Sequence, residues 1–211
     1  MNIFYNYSTL FLSILFFPSF VTGVFLPNLI VFLFVIITLA FKFFELKKII
    51  FENSKLVIIF LCFYSFLMIS SLSSNHVNHS LGTSLLYFAY ILYVFSFVIF
   101  FENNRKNIIY FFYFGLVSFF IICVDALYEL VVGNNTLGFT SIEGRIAGFF
   151  NDRWVIGSYL VRFLPILVGL FFLNFNHFSK FTKFFSYFVF LFSSFIIVFS
   201  GERVAYLLLI L

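Results

Sequence analysis

Ionisable side chains inside apolar stretches are the first candidates for chemistry, and in this 211-residue chain they are unevenly placed. The first four apolar runs carry no Asp, Glu or Arg. Asp125 and Glu129 then fall in the fifth, spaced i, i+4, which sets both on one face of a helix. Glu143, Arg145, Asp152 and Arg153 crowd the polar stretch that follows, Arg162 lies in the next run, and Glu202 and Arg203 mark a late turn. A charge at the bilayer centre costs ~2.5–3.5 kcal/mol, so such residues face a cavity or a partner. By helical rise, Asp125 lies ~9 Å below the end of its helix and Arg162 about 10–12 Å below the start of the next. Antiparallel neighbours would bring them to matching depth. A structural ion pair and a catalytic role fit that spacing equally, and Arg162 is expected to face inward, toward Asp125, Glu129 or a bound substrate.

Other signatures are weak or missing. The chain has no Walker motif, no GxGxxG and no Ser-His-Asp set. His76 and His79 are three apart in a short polar stretch without a neighbouring carboxylate or thiol, so they read as loop filler and no metal is expected. Cys62 and Cys123 fall inside apolar runs and read as inert buried thiols. Gly133, Gly138, Gly144 and Gly148 punctuate residues 131–153, where glycines permit the backbone turns of anion-binding nests. An ordinary flexible connector is the plainer account of most of them. Asn151 or Asp152 is placed to cap the helix expected from Trp154. Pro165 removes a hydrogen bond to Val161 and is expected to kink that helix beside Arg162.

The elements that must position these residues are membrane helices. Hydrophobic residues make up 64% of the chain against 9% charged, with a mean hydropathy of +1.15, and so few charges cannot coat a soluble globule. A bilayer-crossing helix needs ~20 apolar residues. That criterion predicts an all-α polytopic transmembrane bundle with seven spans: 3–22, 24–44, 56–72, 81–101, 108–130, 154–173 and 184–199. An eighth begins at Val204 and stops after about 12 Å of rise. The chain is therefore expected to be the front part of a longer protein, with residues 1–211 forming one membrane domain.

Charge sorting supplies an orientation. Lys42, Lys47, Lys48, Lys55, Arg105, Lys106, Lys180 and Lys183 fall on one side of alternating spans, whereas Arg145, Arg153 and Arg203 fall on the other. The positive-inside rule makes the first side, and the N-terminus, cytoplasmic. The net charge of +4 is thus an orientation signal, and no nucleic-acid partner is expected. Asp125, Glu129, Arg145, Arg162 and Arg203 all come to the outer half, and residues 131–153 form the main outer loop.

Two stretches resemble the O-antigen ligase and O-antigen polymerase family of bacterial membrane glycosyltransferases. Gly144-Arg145-Ile146-Ala147-Gly148-Phe149-Phe150-Asn151, followed by Gly157-Ser158-Tyr159-Leu160 and Pro165, resembles the family's Arg-x-x-Gly segment. Ser200-Gly201-Glu202-Arg203-Val204-Ala205 resembles its second signature, a small-residue turn with an Arg opening the next helix. The resemblance covers residues 145–211.

The resemblance implies an inner-membrane enzyme working at the periplasmic face. Its donor is a glycan on undecaprenyl pyrophosphate, and its acceptor is lipid A core (ligase) or another glycan (polymerase), with no cofactor and no metal. Arg145 and Arg203 match the family's phosphate-binding arginines; guanidinium stays protonated and forks two donors onto phosphate oxygens. Gly148, Arg162, Asp125 and Glu129 would support them. The family's acceptor-activating His would lie beyond Leu211, so the catalytic residue is unknown here and the 211 residues alone are expected to be inactive. The rival reading is a flippase for lipid-linked oligosaccharides or another transporter, which should line a cavity with charge from many helices.

Overall fold

The computed structural model of the chain describes residues 2–23, 25–103, 105–139, 145–150 and 155–210. Eight α-helices account for nearly all of them: α1 Asn2–Ser19, α2 Phe25–Glu52, α3 Ser54–Leu72, α4 Val77–Asn103, α5 Arg105–Val132, α6 Ile156–Leu173, α7 Lys180–Phe199 and α8 Arg203–Ile210. The first seven are long and apolar enough to cross a membrane. The chain is an all-α polytopic transmembrane bundle.

Several helices outrun their apolar stretches. α2 continues to Glu52, because Lys and Glu are good helix formers whose long stems reach from the bilayer edge to water, and α4 starts at Val77, ahead of its apolar run. A local break falls inside α2 at Lys42 (φ −132°, ψ 27°), where the apolar run gives way to charge, and Lys42 Nζ bonds Glu45 Oε1 at 2.6 Å. Pro165 lies inside α6, which continues to Leu173.

The helices divide into two compact units. The first comprises residues 1–16 and 24–107, with α4 packed on both α2 and α3. Its core is aromatic: Phe34 meets Tyr93 and Phe100 edge-on at 5.2 and 5.8 Å. α3 buries only 6% of its span, so this uniformly apolar helix is left facing the hydrocarbon.

The second unit comprises residues 17–23 and 108–211. Phe112, Leu116, Phe119, Cys123 and Ala126 form a buried stripe on α5 at alternating spacings of four and three, the period of a helix that buries one face. Gly115 lies beside this stripe because a Cβ there would stand 2.6 Å from Leu167 Cδ2 and 2.7 Å from Phe17 Cε2. On α6, Ile156, Leu160, Leu167 and Phe171 are all inaccessible, and the helix packs on α7 and α8. Tyr159 donates its hydroxyl to the Phe17 carbonyl at 3.0 Å. Ser179 caps α7 by accepting from Thr182 N–H at 3.1 Å.

Candidate functional site

Apart from Lys180 and Lys183 at the start of α7, the described charged residues of the second unit gather where α5 ends, α6 and α8 begin, and α7 ends. α5 delivers Asp125 and Glu129 to this end on one face, both 1% exposed. A bare carboxylate so buried would cost many kcal/mol, so each must find donors. Glu129 accepts from the backbone N–H groups of Ala147 (3.2 Å) and Gly148 (2.6 Å). Asp125 Oδ1 accepts both the N–H of Thr136, at 3.0 Å, and its hydroxyl. Among the described residues, Asp125 Oδ2 is buried without a hydrogen-bond partner.

The donors come from the loop after α5, folded around buried Asn135. Its Nδ2 donates to the Gly148 carbonyl at 2.6 Å, and its Oδ1 accepts from Leu137 and Phe139 N–H at 3.1 and 2.8 Å. Gly148 has φ +56°, and a Cβ there would stand 2.9 Å from Ile156 Cδ1 and 3.5 Å from Asp125 Oδ2. Only glycine lets the backbone turn and approach the α5 carboxylates this closely. Arg145 precedes this stretch as an exposed residue whose main chain forms a single β-bridge.

This arrangement corrects the expected ion pair. Arg162 is exposed on α6 and makes no ion pair among the described residues; Asp125 and Glu129 are met by loop donors instead. Two backbone amides aimed at one carboxylate spare a guanidinium the cost of desolvation. The helix that Asn151 or Asp152 is expected to cap starts at Ile156. Asn151 and Asp152, like Gly144, Glu143, Arg153 and Trp154, lie outside the described residues. α6 begins at Ile156, and its first amides are met from the α7–α8 turn: Glu202 accepts Gly157 N–H at 2.7 Å, Ser158 N–H at 3.0 Å and the Ser158 hydroxyl.

That turn is packed tightly. A Cβ on Gly157 would stand 2.4 Å from Ser200 Oγ and 3.1 Å from both Ala205 Cβ and Glu202 Oε1. Gly201 has φ +76°, and its missing Cβ leaves room for Arg145, whose Cγ would be 3.2 Å away and whose Cα would be 3.9 Å away. Arg203 follows two residues later, exposed, opening α8. Arg145 and the Arg203 turn therefore share one corner of the unit. Sequence reasoning noted Glu202 only as a charge and missed Asn135 and Thr136. A glycine at the start of α6 was the one local sign of close approach.

The histidines lie elsewhere, His76 and His79 around the start of α4 and His177 after α6. Among the described residues no group of three or more His, Cys, Asp or Glu side chains comes together. An apolar groove in the first unit, between α3 and α4 and lined by Phe60, Tyr64, Leu67 and Tyr87, carries no acid or base. No protein-family model matches the chain, and neither the curated proteins nor the solved structures contain a match.

Proposed function

We propose that the chain carries the pyrophosphate-binding part of a membrane glycosyltransferase that moves a glycan from a polyprenyl-pyrophosphate carrier, undecaprenyl in bacteria, to lipid A core or a growing O-antigen chain. The observation that carries the reading is Arg145 lying against Gly201, two residues before Arg203. These are the two arginines in the stretches that resemble the ligase and polymerase family. Both are exposed, whereas the nearby acids Asp125, Glu129 and Glu202 are occupied by protein donors. The carboxylates of this corner are thus engaged internally.

In the reaction so proposed, the bond from the anomeric carbon to the pyrophosphate oxygen breaks and its electron pair stays on that oxygen. The acceptor hydroxyl oxygen forms the new bond at the anomeric carbon and gives up its proton to a base. Negative charge grows on the departing pyrophosphate, and two forked guanidinium groups answer it. The positive-inside rule, applied to the lysine-rich loops, supports reading this corner as the periplasmic side of a bacterial inner membrane.

The test is glycan transfer from a polyprenyl-pyrophosphate oligosaccharide in membranes containing the full-length protein. Arg145→Ala and Arg203→Ala should each lower transfer about a hundredfold or more. The corresponding Lys variants should recover little, because an ammonium cannot fork onto two oxygens. Undiminished transfer by either Ala variant would defeat the proposal.

A further inference from the structure

Glu202 makes contacts out of proportion to a surface turn. Its main-chain carbonyl accepts Tyr206 N–H at 3.0 Å, the first hydrogen bond of α8. Its carboxylate meanwhile accepts from the start of α6, Oε1 from Gly157 N–H and Oε2 from the N–H and hydroxyl of Ser158. One residue thus terminates two helix starts. A carboxylate there is favoured twice, by charge-assisted hydrogen bonds and by the positive end of the α6 dipole.

The consequence lies in what flanks it. On one side Gly201 adopts φ +76° and packs under the Arg145 stem; on the other, Arg203 starts α8. Both carboxylate oxygens are engaged by α6, so Glu202 is not set up to take a proton from a bound hydroxyl. Its engagement also occupies the first amides of α6. Gly157 is what allows the approach, since any side chain there would drive into Ser200 and Glu202.

We propose that Glu202 is a positioning residue, fastening the Ser200–Arg203 turn to α6 so that Arg203 stands beside Arg145. The proposal rests on the reading of those arginines as pyrophosphate ligands, yet its geometry can be tested apart from it.

Two measurements on the full-length protein do so. The first is cross-linking of an Arg145→Cys, Gly201→Cys pair in a background with Cys62→Ser and Cys123→Ser. A Cβ at 201 stands 3.9 Å from Arg145 Cβ, within the disulfide range of about 3.5–4.5 Å. The disulfide should form readily with Glu202 present, at least about tenfold more slowly with Glu202→Ala, and at an intermediate rate with Glu202→Gln, which keeps one acceptor oxygen. Failure of the pair to form with Glu202 present, or equal rates in all three, would overturn the proposal. Should Glu202→Ala not accumulate in the membrane, Glu202→Gln and Ser158→Ala carry the same comparison.

The second is transfer from the polyprenyl-pyrophosphate oligosaccharide at equal amounts of membrane-inserted protein. Displacing a ligand by about 1 Å costs on the order of a hundredfold, so Glu202→Ala should lose about that much and Glu202→Gln should recover part of it. Full transfer by Glu202→Ala, with Arg145→Ala and Arg203→Ala inactive, overturns the positioning role and leaves the arginines standing. Full transfer by the arginine variants overturns the functional reading, and cross-linking alone then decides for or against Glu202.

Discussion

Glu202 and Gly157 meet through a 2.7 Å hydrogen bond that ties the start of α8 to the start of α6. The bond is short because Gly157 has no side chain: a Cβ would stand 3.1 Å from Glu202 Oε1 and 2.4 Å from Ser200 Oγ. Packing at this contact is decided by one missing carbon.

Gly157→Ala should therefore cost about 1–3 kcal/mol, the usual penalty for overfilling a packed site. Thermal unfolding of the detergent-solubilised protein measures it. Ser200→Ala removes the nearest atom of the clash, so the double variant should be less destabilised than the two single effects added together. Strict additivity would show that the 2.4 Å approach is relieved some other way.

Gly148→Ala combines two penalties, a left-handed φ of +56° and a Cβ only 2.9 Å from Ile156 Cδ1. Left-handed backbone at a non-glycine residue costs roughly 1–2 kcal/mol by itself. Ile156→Val deletes the clashing methyl and should recover the packing part while leaving the backbone part. Unfolding of the single and double variants separates them; no recovery would mean that backbone conformation alone sets the cost.

Glu129 answers two backbone amides, so truncating it should loosen the loop more than neutralising it. Glu129→Ala leaves the N–H groups of Ala147 and Gly148 unmatched, at about 1–3 kcal/mol for each buried donor. Glu129→Gln retains a carbonyl acceptor. Hydrogen exchange over residues 145–150 should be fastest in Glu129→Ala and intermediate in Glu129→Gln. Equal protection in all three proteins would remove Glu129 from the account of how Arg145 is held.

The seven spans were legible because bilayer thickness imposes a run length that 64% hydrophobic sequence makes plain. The shared face of Asp125 and Glu129 was legible for a similar reason, since helical spacing alone fixes it. Their partners were not. A buried carboxylate is satisfied as well by two loop amides as by a guanidinium, and nothing in the spacing of Arg162 distinguishes these. The Glu202 bond was hidden because it needs the α7–α8 turn to return to α6, which no local pattern encodes. The break at Lys42 has no proline or glycine to announce it. Arg145 lies against Gly201, two residues before Arg203, a proximity that no local pattern encodes across the intervening α6 and α7.

Asp125 and Arg162 provide the clearest test of that distinction. A pair held together by charge would show a coupling energy of 0.5 kcal/mol or more, within the range of about 0.5–3 kcal/mol for residues in contact. Here Asp125 is held through Oδ1 by Thr136, while Arg162 is exposed and makes no ion pair among the described residues. A double-mutant cycle of Asp125→Asn and Arg162→Gln, read by unfolding, should therefore be additive within about 0.3–0.5 kcal/mol. Thr136→Val should couple strongly to Asp125→Asn, because it removes the hydroxyl that Asp125 Oδ1 accepts while keeping the branched shape. Strong coupling to Arg162 with none to Thr136 would restore the ion pair and displace the loop as the partner of Asp125.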